Sequence, residues 1–174
     1  VANIIQEDYG YSFFWKVLNT SNYTKVPHNR ERTFMIAFKD EVNWRSSPKD
    51  TMSSRFDKNF PPQKLNSPNP IKNYLETGEI DNVFYYRQDK YMYPELRKVM
   101  QSQDTLYQWR RKYVRENKSN LCPTLTANMG TGGHNVPLVL TDDGMRKLTP
   151  RECFNFQGYP KSFKFPADMA NSHL

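Results

Sequence analysis

Cys153 lies in the stretch RKLTPRECFNFQGYP, Arg146 to Pro160, and a thiolate near a helix N-terminus is a nucleophile. The neighbouring residues argue for scaffold instead. Thr149 can cap a helix by accepting from a free N–H of the first turn. Pro150 fits the first helical position, where no N–H is needed. Glu152, three residues after Thr149, completes a capping box. Gly158 can close the helix in a left-handed conformation, and Pro160 prevents its resumption. The spacing therefore predicts a helix of about two turns. A free cysteine on such a helix packs as a small apolar residue. The structural reading of Cys153 is preferred to the reactive one.

Two other stretches carry chemistry. LYQWRRKYVRENK, Leu106 to Lys118, sets Arg110, Arg111, Lys112, Arg115 and Lys118 against Glu116. Read as one strand, it puts Tyr107, Trp109, Arg111, Tyr113 and Arg115 on one face. Guanidinium groups grip phosphates or guanine edges, and rings pack on sugars and bases, so this face suits a nucleic acid. An ordinary strand with an Arg-rich solvent side is the equal alternative. CPTLTANMGTGGHNVP, Cys122 to Pro137, mixes β-formers with Gly130, Gly132 and Gly133, which permit close backbone approach to a ligand. A phosphate cradle and a mobile hairpin tip are both open readings.

The elements that must position these residues read as follows. VANIIQEDYG is the end of a helix stopped at Gly10. YSFFWKVLN alternates, with Tyr11, Phe13, Trp15 and Val17 on one face, and RTFMIAF (Arg32–Phe38) is a second strand. Residues 44–70 are polar and carry Pro61, Pro62, Pro68 and Pro70, which marks a connector. PIKNYLETGEI reads as a short helix closed by Gly78, VFYYRQDKYMY as extended, and PELRKVMQSQ as helical through Leu96, Val99 and Met100. LVLTDDGMRKL is a strand, an Asp-Asp-Gly turn and a lead into the capped helix.

Bulk composition narrows the field. The 174 residues are only 37% apolar, with a mean hydropathy of −0.88, so a large unaided core is disfavoured. Aromatic residues make up 14%, which argues against disorder throughout. A net charge of +7 favours a polyanionic partner. The two cysteines make neither a disulfide framework nor a zinc site, and fit a reducing compartment. No membrane span or signal peptide is visible. The chain begins with Val, which points to a fragment, an excised domain or a processed subunit.

In order, VLN (Val17–Asn19), VPHNRER (Val26–Arg32), PTLTANMGTGG and RKLTPRECFNFQGYPKSF resemble the C-terminal part of a C5-cytosine-specific DNA methyltransferase. The resemblance covers roughly residues 1–38 and 110–166, and residues 40–105 match nothing. It implies an α+β chain: a small irregular target-recognition domain plus edge strands of a Rossmann-like methyltransferase domain. The expected divisions are residues 1–43 (edge strands), 44–70 (Pro-rich crossover) and 71–174 (target recognition). Such enzymes flip the target cytosine out of the duplex, attack it with a Pro-Cys thiolate, and transfer a methyl group from S-adenosylmethionine. The cofactor glycine motif, the Pro-Cys nucleophile and the Glu-Asn-Val motif have no counterpart here. The resemblance thus implies that this chain alone is inactive, that no metal is needed, and that S-adenosylmethionine binds outside it.

Carried over by position, Arg30 and Arg32 fall on the two arginines lining the flipped-cytosine pocket, with His28 where the family has Gln. Thr124 and Leu125 fall on a Thr-Leu pair near DNA. Asn128, Gly130, Gly132, Gly133 and His134 fall in a base-reading loop, and Arg111 and Arg115 join them as DNA contacts. Arg146 to Pro160 falls on a motif that organises the recognition domain, which makes Cys153 scaffold. The implied partners are double-stranded DNA and the missing catalytic part, in a bacterial or phage cytoplasm. The alternative is a non-catalytic DNA- or partner-binding subunit of a split or degenerate methyltransferase.

Overall fold

The computed structural model describes residues 1–39, 63, 67–110, 112–117, 119–126 and 135–166. Most of the expected Pro-rich crossover therefore lies outside the described residues.

The chain opens with a π-helical turn, Ile4–Asp8, that Gly10 ends at φ +67. Strands β1 (Ser12–Asn19) and β2 (Glu31–Phe38) then form an antiparallel ribbon, with Trp15 opposite Met35 and Leu18 opposite Arg32. β-Branched and aromatic residues favour this pairing. Trp15, Val17 and Met35 share one face and are 58%, 52% and 60% exposed, and Phe34 on the other face is exposed too.

The second body is a four-stranded sheet of order β4-β3-β5-β6, built from β3 (Tyr107–Arg110), β4 (Tyr113–Glu116), β5 (Pro137–Thr141) and β6 (Gly144–Lys147). All its pairings are antiparallel. Helix α1 (Tyr93–Val99) covers one face, where Leu96 and Met100 pack with Tyr107, Val114, Leu138 and Met145. Helix α2 (Pro150–Phe156) and the 3₁₀ turn Ile71–Tyr74 cover the other, where Phe156 and Ile71 pack with Val139, Leu148 and Leu106. The alternation of strand side chains sorts the apolar residues between these two cores.

The capped helix forms as its sequence predicts: Thr149 accepts from the Glu152 N–H, the Glu152 carboxylate accepts from the Thr149 N–H, and Gly158 follows at φ +86. The Asp142–Asp143 turn also forms, but the residues after it make a further strand, β6, rather than a plain lead into the helix. Elsewhere local preference yields to packing. The segment after Pro70 winds only as far as Tyr74, well before Gly78. The stretch expected to be extended contains a 3₁₀ turn, Asn82–Phe84, capped by Asp81.

LYQWRRKYVRENK is not one strand but a hairpin, β3 to β4, with Arg110 opposite Tyr113. The reversal changes the parity of the side chains. Tyr107 and Trp109 point toward α1, whereas Tyr113 and Arg115 share the other face with Gln108 and Arg110. The aromatic–arginine stripe expected along one strand is thus divided between two faces.

Candidate nucleic-acid interface

Arg30 and Arg32 sit where the loop from β1 enters β2. The Arg30 N–H donates to Asn19 Oδ1 at 3.2 Å, and its carbonyl accepts from the Thr20 N–H at 3.1 Å. Asn19 Oδ1 also caps the turn after β1 through the Ser21 N–H. One asparagine therefore fixes both ends of the loop. Arg32 is exposed and donates to the Glu31 carbonyl. Partial burial, and then the charge of Arg32, lower the Arg30 guanidinium from its ordinary value.

His28 lies beneath this pair, fully buried. Burial first, then Arg30 and Arg32, press its imidazole down from 6.5 to about 4, against an opposing pull from the Phe156 backbone. Neither ring nitrogen has a hydrogen-bond partner of good geometry. A buried cation between two guanidinium groups is costly, so the ring is neutral at pH 7.

The arginine loop is tied to the second body. The Cys122 N–H donates to the Pro27 carbonyl at 2.6 Å, the Asn29 N–H to the Cys122 carbonyl at 2.8 Å, and Thr124 Oγ1 to the Asn29 carbonyl at 2.8 Å. Despite their β-formers, residues Cys122–Thr126 form no strand; they make a single parallel bridge, His28 to Cys122. Leu125 is buried in the α2-side core. The Thr124 hydroxyl is engaged with the arginine loop.

The other predicted contacts divide. Arg115 is exposed on β4. Arg111, Asn128, Gly130, Gly132, Gly133 and His134 lie outside the described residues. Three residues that sequence alone did not single out as contacts meet at this end of the sheet. Asn135, where the chain enters β5, donates its N–H to the Trp109 carbonyl at 3.2 Å. Its carbonyl accepts from Gln108 Nε2 at 3.3 Å, and its Oδ1 accepts from Arg110 Nη1. Asn135 has φ +106, which only its position after the glycine-rich stretch hinted at.

Cys153 is held by α2 against the core, and burial followed by Glu152 pushes its thiol up to about 12. Cys122, which is fully buried where Cys153 is only partly so, is raised as well. Neither is an activated nucleophile. Among the described residues no group of His, Cys, Asp and Glu could hold a metal ion, and no helix is long and apolar enough to cross a membrane.

The fold is that of a methyltransferase: a solved Entamoeba histolytica methyltransferase, EhMeth, matches with a TM-score of 0.57 at 11% identity, covering 99% of this chain and 49% of that one. The chain belongs to the C-5 cytosine-specific DNA methylases, whose family model matches residues 2–173. It is 50% identical to the type II methyltransferase M.Bsp6I of Bacillus sp. (strain RFL6), over 97% of this chain and 50% of that protein. It is 31% identical to M.HhaI of Haemophilus parahaemolyticus, over 88% of this chain and 45% of that protein. The chain thus spans about half the length of these relatives.

Proposed function

We propose that this chain is the target-recognition part of a DNA (cytosine-5)-methyltransferase. It binds duplex DNA and helps hold the flipped cytosine, while the catalytic part supplies the nucleophile and the methyl donor. The observation that supports this reading is the tether between the Arg30–Arg32 loop and Cys122–Thr124, because it joins a loop bearing two arginines to the body whose sheet exposes Arg115. In this reading Arg30 and Arg32 line the cytosine pocket, and Arg32 faces the O2 side of the base. Negative charge gathers there when a thiolate adds to the ring, and a guanidinium that stays protonated in a fixed planar fork suits it. Arg115 and Arg111, with Asn128 to His134, contact the duplex.

In this reading S-adenosylmethionine binds to the catalytic part, outside this chain. The connection after β1, Thr20 to Arg30, contains no glycine and is drawn down onto Asn19 and Cys122. The exposed Trp15, Val17, Phe34 and Met35 of the ribbon support a division of labour, because such apolar faces are covered in a stable protein. Their cover is the remainder of the methyltransferase sheet.

The test is transfer of labelled methyl groups from S-adenosylmethionine to DNA. The chain alone, the catalytic half of a relative alone, and the two mixed are compared. Label in DNA only with the mixture is the expected result. Label with this chain alone would exclude the division proposed.

A further inference from the structure

The end of the recognition sheet holds a clamp with no part in the cytosine pocket. Arg110 is the last residue of the central strand β3, with the hairpin tip on one side and Asn135 on the other. Three hydrogen-bonding groups of Asn135 point into β3: its N–H to Trp109, its carbonyl to Gln108, its side-chain oxygen to Arg110. Gln108 is itself buried, so its amide must find partners inside the protein. Asn135 also adopts φ +106, a conformation that a residue with a Cβ keeps only when its surroundings over-determine it. The clamp therefore fixes the direction in which the chain enters β5 and its distance from the β3–β4 hairpin. The exposed residues Tyr113 and Arg115 lie on the same face of that hairpin as Arg110.

We propose that Arg110 and Asn135 form a positioning pair that sets target-sequence selectivity by locking the β3–β4 hairpin to the entry of β5. The inference rests on the recognition role proposed above. Arg110 acts through Asn135, not as a base reader, and Asn135 acts through its backbone direction. Contacts carried by a hairpin and by a strand entry read one site only if their separation is constant. Loosening the clamp therefore blurs the choice of sequence before it lowers affinity for DNA in general.

The experiment compares the complete methyltransferase carrying this chain with its Arg110→Ala, Arg110→Lys, Asn135→Gly and Arg110→Ala/Asn135→Gly variants. Each methylates plasmid DNA, and bisulfite sequencing gives the rate at the preferred motif relative to sites with one base changed. Arg110→Ala and Asn135→Gly should each lower that ratio about tenfold, and the double variant should lower it no further, because the two residues act as one unit. Arg110→Lys should fall between, since an ammonium donates but has no planar fork. Asn135→Gly should melt at or above the wild-type temperature, because glycine relieves the backbone, so loss of selectivity there is not loss of fold. An unchanged ratio in both single variants overturns the proposal. So do losses that multiply in the double variant, or a uniform loss at all sites with weaker salt dependence, which marks a phosphate contact. A wild-type enzyme that prefers no motif defeats the recognition role itself; a selective wild type with equally selective variants defeats only the clamp.

Discussion

Arg146 and Glu152 form a two-pronged ion pair inside the protein, Nη1 to Oε2 at 2.7 Å and Nη2 to Oε1 at 2.6 Å, with side chains 2% and 0% exposed. Arg146 comes from β6 and Glu152 from α2, so the pair joins the sheet to the helix that covers it. Burial alone would lower the Arg146 guanidinium, but its hydrogen bonds and charge pairing with Glu152 raise it. Glu152 also accepts from the N–H groups of Thr149 and Glu76, and Thr149 Oγ1 donates to Glu76.

Removing one partner leaves a buried charge unpaired. Glu152→Ala should cost about 3–5 kcal/mol, measured by urea unfolding. A loss below about 1 kcal/mol would mean that Arg146 finds another partner and that the pair does not hold α2 in place.

The thiol of Cys153, pushed up to about 12 by burial and by Glu152, should resist alkylation at roughly neutral pH in the folded protein and react once unfolded. Cys153→Ser should leave methyl transfer by the complete enzyme nearly unchanged. Mass spectrometry of the alkylated protein checks the first point. Rapid labelling of Cys153 in the native state would reopen a reactive role.

His28 makes stability depend on acid. Its imidazole titrates near 6.5 when unfolded and near 4 when folded, so the unfolded chain takes up the proton first. This contribution is complete above pH 6.5 and is lost as the pH falls toward 4. Each tenfold difference in proton affinity between the two states is worth about 1.4 kcal/mol. His28→Gln should flatten the fall in melting temperature over that window. Parallel curves for the two proteins would show that the imidazole does not titrate there.

Arg32→Ala, in the complete enzyme, should lower turnover far more than DNA affinity, because the loss of one donor to a developing oxyanion commonly costs about 3 kcal/mol. Single-turnover kinetics and duplex binding at fixed salt separate the two. Equal losses in both would assign Arg32 to the phosphate backbone.

Much of this architecture was legible where the local code is strong. Thr149, Pro150, Glu152 and Gly158 each state their place in α2, and the structure adopts every one. The two strands of the ribbon and the Asp142–Asp143 turn are equally explicit. The β3–β4 reversal was hidden because Arg110-Arg111-Lys112-Tyr113 contains none of the Gly, Asn or Pro that usually announce a turn. Periodicity suggested a half-buried β1, but it cannot say what would cover the side that is exposed here. At the candidate site, the motif is what points to Arg30 and Arg32. The buried state of His28, the tether to Cys122 and the strained backbone of Asn135 depend on contacts between distant segments, which no short window contains.

The tether between the arginine loop and Cys122–Thr124 closes a span of 95 residues, from Asn29 to Thr124. Loop closure on that scale is slow and comes late. During synthesis the loop bearing Arg30 and Arg32 emerges early with its hold on Asn19, yet the Cys122 and Thr124 groups that tie it to the second body do not exist until the four-stranded sheet is being made. Locking of the arginine loop onto the second body therefore waits until Cys122–Thr124 have been made. A chain interrupted before Cys122 would carry the arginines with their local hold on Asn19 and Thr20 but without the tie to the second body.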